Sequence, residues 1–145
     1  MKNYPMLVAL CGAPESGKST IQNILTERYG MRPVDDFKFG RDAVCLIYGL
    51  TQWHVTTQEG KRTVVDVCGE PWEVRKILGE FGNRLEAMHG PDFIPETAIR
   101  YARAEIANSG GDTPILSFGS VRREQGRVYK REGGIVIEVT RPGAM

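Results

Sequence analysis

Apolar and polar positions divide this chain into short buried runs separated by amphipathic stretches. Met6 to Leu10 is a continuous apolar run closed by Cys11-Gly12, the pattern of a strand covered on both faces. Ile21, Ile24 and Leu25 then recur at helical spacing, predicting a helix from Lys18 to Tyr29 that Gly30 ends. Arg32-Pro33-Val34 is a second candidate strand, closed by Asp35-Asp36, and residues 37–49 read as loop followed by a short helix. Residues 61–68 and 71–74 around a Gly69-Glu70 turn suggest a small hairpin. Val74, Ile77, Leu78, Phe81, Leu85 and Met88 form one apolar stripe at three- and four-residue intervals, broken by Gly90-Pro91. A further helix is predicted from Pro95 to Asn108, with Ile99, Ala102 and Ile106 inward and Arg100 and Arg103 outward. A third strand spans Pro114 to Phe118, a polar helix Glu124 to Arg131, and a fourth strand Ile135 to Val139. Strands alternating with helices predict an α/β fold: a parallel sheet of about four core strands sandwiched by helices, with a β-hairpin insertion.

The 145 residues fit a single domain over 1–145. With 41% hydrophobic and 26% charged residues the composition is that of a soluble globular protein. A net charge of +1 supplies no global field toward nucleic acid or a membrane, so neither is expected as a stable partner. Cys11, Cys45 and Cys68 are odd in number and scattered, which suits reduced thiols in a cytoplasm better than a disulfide framework or metal cluster. No apolar run reaches the ~20 residues that span a bilayer, and the first residues do not carry a signal-peptide pattern.

Chemistry concentrates in Gly12-Ala13-Pro14-Glu15-Ser16-Gly17-Lys18-Ser19, which follows the first strand and opens the first helix. This is the spacing of a phosphate-binding loop. Its backbone N–H groups converge on phosphate oxygens, and the positive end of the helix adds to them. Gly12 and Gly17 permit the turn, Ala13, Glu15, Ser16 and Thr20 complete the nucleotide-binding set, Lys18 brings a charge to the β- and γ-phosphates, and Ser19 offers its hydroxyl to Mg²⁺. ATP and Mg²⁺ are the cofactors this predicts.

The loop does not name the phosphoryl acceptor. Asp35-Asp36 stand at the carboxyl end of a strand, where α/β sheets place ligands; they are read either as substrate-binding carboxylates or as a solvated turn. Arg41, Arg84, Arg122 and Arg123 are candidates to clamp phosphate, since guanidinium binds oxyanions through two parallel bonds, but any one of them can equally be a surface charge. Trp53 and Trp72 are base-stacking candidates or packing residues. The basic positions Arg123, Arg127, Lys130 and Arg131 offer a segment that closes over a triphosphate, or a solvated face.

Three blocks are similar to the deoxynucleoside monophosphate kinases of bacterial viruses. The first is the phosphate loop with its flanks. The second, Val74-Arg75-Lys76-Ile77-Leu78-Gly79-Glu80-Phe81-Gly82-Asn83-Arg84 followed by Pro91-Asp92-Phe93, resembles that family's Arg-x-Leu-Leu-Gln-x-x-Gly-Thr-Glu helix and Pro-Asp-Phe. The third runs from Ile115 through Val121-Arg122-Arg123-Glu124 to Gly133-Gly134-Ile135-Val136-Ile137-Glu138-Val139-Thr140-Arg141, like the family's Asp-Val-Arg-Phe-x-x-Glu and Gly-Gly-x-Val-Ile-x-Val-x-Arg segments. Asn83-Arg84 replaces Thr-Glu, and Ser120 replaces the Asp. The resemblance implies Mg²⁺-dependent transfer of the γ-phosphoryl of ATP to a deoxynucleoside monophosphate. With the residues' own chemistry it makes Lys18, Arg41, Arg84 and Arg122 the catalytic candidates, Asp35, Asp36, Arg41 and Arg84 the acceptor candidates and Ser19 the metal candidate, although Arg41, Asp35 and Asp36 lie outside the three blocks and Arg84 stands where the family has Glu. The resemblance also implies a cytoplasmic setting, that of the host if the protein is viral, and leaves a homodimer open. Another small-molecule kinase on the same frame and a nucleotide-binding regulator without turnover are the alternatives.

Overall fold

A computed structural model describes residues 5–13, 16–111 and 114–142. In chain order the elements are β1 (Leu7–Cys11), α1 (Lys18–Tyr29), β2 (Arg32–Val34), α2 (Lys38–Tyr48), α3 (Gln52–Thr56), α4 (Gln58–Lys61), β3 (Val64–Val67), β4 (Glu70–Glu73), α5 (Val74–His89), α6 (Phe93–Ser109), β5 (Leu116–Val121), a 3₁₀ turn (Arg123–Gln125), α7 (Gly126–Arg131) and β6 (Ile135–Glu138). They form two compact units, one of Met1–Asp36 with Pro95–Met145 and one of Phe37–Ile94.

The first unit is a four-stranded sheet in the order β2-β5-β1-β6, with every pairing parallel. The predicted parallel α/β architecture is therefore present. β1 is central because all five of its residues are apolar and buried. Val8 and Leu10 turn to one face, where Ile21 and Leu25 of α1 cover them. On the other face Gly126 of α7 comes so near Cys11 that an added Cβ would lie 3.6 Å from its sulfur, and Tyr129 of α7 packs on Phe118 with ring centroids 4.9 Å apart. β2 carries Arg32 and Pro33 exposed, in keeping with an edge strand. Gly30 ends α1 in the left-handed conformation (φ 66°), as its place in the sequence predicts. Along α6, Ile99 and Ala102 are buried as expected. Arg103, expected to be outward, is instead drawn in by Glu132, with Nη1 2.6 Å from the carboxylate.

Chain direction matters for function. From β1 the chain passes to β2, beyond β5; from β5 it passes to β6, beyond β1. Neighbouring strands whose connections leave in opposite directions open a crevice at their carboxyl ends, here between β1 and β5.

The second unit packs α2, α3 and α5 and the β3–β4 hairpin around Val44, Val55, Val74, Ile77 and Leu78. The hairpin turns through Cys68-Gly69, both at positive φ (54° and 87°), the geometry that matches strand twist in a two-residue loop. That is one residue earlier than the sequence suggests. α2 starts directly at Lys38 with no preceding loop. The α5 stripe is buried through Val74, Ile77 and Leu78, but Met88 at its end is 72% exposed. Among the described residues no helix is long and apolar enough to cross a membrane.

Candidate phosphate-binding site

β1 delivers the chain into the Gly12–Gly17 turn at the mouth of the crevice. Of the predicted loop residues, Glu15, like Pro14, lies outside the described residues. Gly12 passes so close to β6's outgoing chain that an added Cβ would stand 2.5 Å from the Val139 carbonyl oxygen and 2.8 Å from Ser16 Oγ. Ser16 N–H donates to the Ala13 carbonyl (3.1 Å), tightening the turn. Gly17, at φ 102°, occupies a conformation that side chains disfavour, and α1 begins at the next residue. α1 has no side-chain cap and no acidic residue in its first turn. Its leading N–H groups and its dipole are thus not offset by a side chain at that end.

Three polar groups mark the turn as a cradle for an anion. Lys18 Nζ reaches back across it to donate to the Gly12 carbonyl at 3.0 Å. Ser16 Oγ is buried and has no hydrogen-bond partner among the described residues, an uncommon state for a hydroxyl. Ser19 opens with Gly17 and Lys18 onto a cleft of about 370 Å³ whose other walls are Gly119, Ser120 and Arg141. That volume is within the range of small-ligand sites. Thr20, also in the predicted set, is exposed in the first turn of α1. Gln22 ties α1 to β5 behind the cleft, its Nε2 donating to the Ser117 carbonyl at 3.0 Å. The chain's own atoms therefore fit a polyphosphate with a divalent cation: a turn entered and left through positive-φ glycines, a buried hydroxyl without a partner among the described residues, an ammonium and a second hydroxyl.

The predicted pair at the end of β2 divides. Asp35 is exposed. Asp36 turns inward: Ser120 N–H donates to its Oδ2 at 2.8 Å, and the Tyr129 hydroxyl to its Oδ1 at 3.4 Å. Burial pushes its carboxyl up to about 7; the Ser120 bond opposes the shift and Asp35 adds to it. Burial also raises Tyr129 and the Cys11 thiol, and Lys18 partly offsets the latter. The sign of the linkage follows. An Asp36 that is freer in the unfolded chain has its ordinary value near 3.8, so the native state holds a proton that the unfolded state releases between about pH 4 and pH 7. The stability due to this group is present below pH ~4 and lost as pH rises to about 7. Asp36→Asn is expected to stabilise the protein at pH 8, and much less at pH 4.5. Denaturant titrations at the two pH values check this.

The arginines fall in different places. Arg122 lies 3.7 Å from Glu124, and Arg123 pairs with Glu138; the arginine that lines the cleft is Arg141, which the sequence does not single out as a site residue. The basic segment lies in the 3₁₀ turn and α7. α7 is docked on β1 and β6 through the fully buried Val128 and Tyr129, and Arg131 pairs with Glu96 at 2.6 Å. The helix is the crossover between β5 and β6.

Arg41 and Arg84 belong to the second unit. Arg41 Nη1 donates to the Val55 carbonyl, joining α2 to α3. Arg84 lies on the exposed side of α5, 3.8 Å from Glu80, with its side chain 81% accessible. It lines an apolar pocket of about 360 Å³ with Tyr48, Trp72, Phe81, Leu85 and Met88. Trp53 is half-exposed and stacks edge-on with its neighbour His54 (5.2 Å).

No protein-family model and no curated protein matches the chain. It is similar in fold to the crystal structure of TT1252 from Thermus thermophilus, with a TM-score of 0.53 at 16% identity. The likeness covers 95% of this chain, which spans 66% of that protein's length. At this identity the likeness shows the fold, and function has to be argued from the site.

Proposed function

We propose that the chain is a Mg²⁺-dependent kinase that moves the γ-phosphoryl group of ATP onto a deoxynucleoside monophosphate. The observation that carries this reading is the Gly12–Ser19 turn at the crevice between β1 and β5, with Lys18 bent across it and the buried Ser16 hydroxyl without a partner among the described residues. Lys18 and the leading N–H groups of α1 would hold the donor phosphates, and Arg141 would add charge from the cleft wall. Mg²⁺, when bound through Ser19, supplies neutralisation of phosphate oxygens. Phosphoryl transfer demands chiefly alignment and charge neutralisation, and the acceptor phosphate is itself the nucleophile, so no protein general base is needed.

The deoxynucleotide part of the reading rests on the resemblance of the α5 and β5–β6 segments. It is supported by the pocket beside Arg84, where Tyr48, Trp72 and Phe81 offer aromatic walls to a base and Arg84 offers a fork to a phosphate. Arg84→Ala tests it. Because Arg84 is largely exposed, its removal should leave the fold intact. It is expected to raise the KM for the monophosphate ~30-fold, about 2 kcal/mol, the scale of one lost charge-assisted bond. The KM for ATP should stay within about twofold. Equal losses toward both nucleotides, or none, would remove Arg84 from the acceptor site. Arg41→Ala is expected to weaken acceptor use as well, accompanied by a lower melting temperature because its bond to Val55 is lost.

A further inference from the structure

Both oxygens of the Asp36 carboxylate are engaged. Ser120 forms part of the cleft wall, and its N–H donates to Asp36 Oδ2 at 2.8 Å. The other oxygen is met by Tyr129 Oη, and Tyr129 is held by full burial and by its contact with Phe118. Helix α7, a carboxyl group and the wall of the cleft thus form one hydrogen-bonded chain, Tyr129–Asp36–Ser120, running from α7 to the carboxyl end of β5.

We propose that Asp36 is a positioning residue for polyphosphate binding: it fixes Ser120, and with it one wall of the cleft, and an anion entering the cleft drives a proton onto its carboxyl. This rests on the reading of the cleft as a phosphate site. The groups that face Asp36 are Asp35 in the same turn, the Ser120 backbone from β5, Tyr129 from α7 and Cys11 from β1. Burial already sets this carboxyl to titrate near neutrality, so a modest added field changes its charge. Polyphosphate carries negative charge, and a like charge close by in a partly desolvated site disfavours the ionised carboxyl. By reciprocity the protonated protein binds the anion more tightly, and binding takes up a proton. Protonation does not break the chain: one oxygen still accepts from Ser120 while the new O–H can donate to Tyr129 Oη.

The test is calorimetric titration of MgATP into the full chain at pH 6, 7 and 8, in two buffers of different ionisation enthalpy, for the wild type and Asp36→Asn. The buffer pair reads protons taken up, and the titration of ATP itself is common to both proteins and cancels in their difference. For a shift of about one pKa unit on binding, the wild type should take up about 0.4 of a proton more than the variant at pH 7. Wild type that binds ATP with the same uptake as Asp36→Asn overturns this inference and leaves the phosphate site standing. Wild type that does not bind ATP removes the phosphate site and this inference with it. Should the Asn variant not fold or not bind, Tyr129→Phe replaces it. Losing a donor to the carboxylate raises its pKa, so the pH of greatest uptake should move up; an unmoved profile overturns the inference.

Discussion

Lys18→Ala is expected to lower kcat/KM for ATP by at least ~10²-fold, the scale on which a single electrostatic stabiliser of a transition state counts. Lys18 is the first residue of α1, and its ammonium spans the turn to the Gly12 carbonyl. In a phosphate-binding turn that ammonium exchanges a carbonyl for phosphate oxygens, whose negative charge it follows through transfer. The side chain lies in no hydrophobic core, and its one described bond is to a partly buried carbonyl. Removing it should therefore cost about 1 kcal/mol of stability or less. Steady-state kinetics beside a circular-dichroism melt separate the two effects. A folded variant with wild-type rates would contradict the assignment of the turn.

Gly12→Ala is expected to be as damaging by a different route. Its Cβ would lie 2.5 Å from the Val139 carbonyl oxygen, a backbone atom held by the hydrogen bond from Val139 N–H to the Cys11 carbonyl (2.7 Å). Neither side can yield without moving the end of β1 or the chain leaving β6. An overpacking strain of about 1–3 kcal/mol follows, and it falls on the turn that shapes the cleft. ATP affinity should drop ~10- to 100-fold, with a lower melting temperature. Gly17→Ala makes the control in mechanism: an added Cβ meets nothing within 4 Å there, so its penalty arises only from φ at 102°. If Gly12→Ala binds a nonhydrolysable ATP analogue like the wild type, the closeness of the two strands at the turn is not what shapes the site.

The parts of this architecture that were legible in the sequence are those whose signals are local. The phosphate turn has its residues, its preceding strand and its following helix within one stretch of chain. β1, β5 and β6 are largely apolar runs, whereas the short β2, Arg32–Val34, carries only Val34 as an apolar signal beside its proline. The hairpin is legible too, but its turn falls one residue earlier than Gly69-Glu70 suggests, because Cys68, a non-glycine residue, takes positive φ. α2 begins at Lys38 after Phe37, an N-cap that makes no side-chain bond, so no capping residue in the sequence marks its start. α3 and α4 are four or five residues long, too short to show a period; their only signals are the threonine caps, Thr51 with His54 and Thr57 with the Gly60 N–H.

Site residues were hidden wherever they depend on pairing between distant strands. Arg141 reaches the cleft because β6 lies beside β1 in parallel register. Asp36 could be placed at a strand end, but its partner Ser120 is 84 positions away, so its inward turn is a consequence of β2 lying against β5. The arginines at 122 and 123 have an oxyanion-binding type, and the acidic neighbours they meet, Glu124 and Glu138, become visible only with the fold.

The central claim is phosphoryl transfer from ATP to a deoxynucleoside monophosphate, and a coupled assay of ADP release addresses it most directly. The full chain is incubated with ATP and Mg²⁺ and, in turn, with each deoxynucleoside monophosphate, each ribonucleoside monophosphate and no acceptor. The account predicts ADP release that depends on at least one deoxynucleoside monophosphate, appears as the matching diphosphate, and is abolished by Lys18→Ala. ADP release that is the same without acceptor, or no release with any acceptor from a protein that binds ATP, would contradict it.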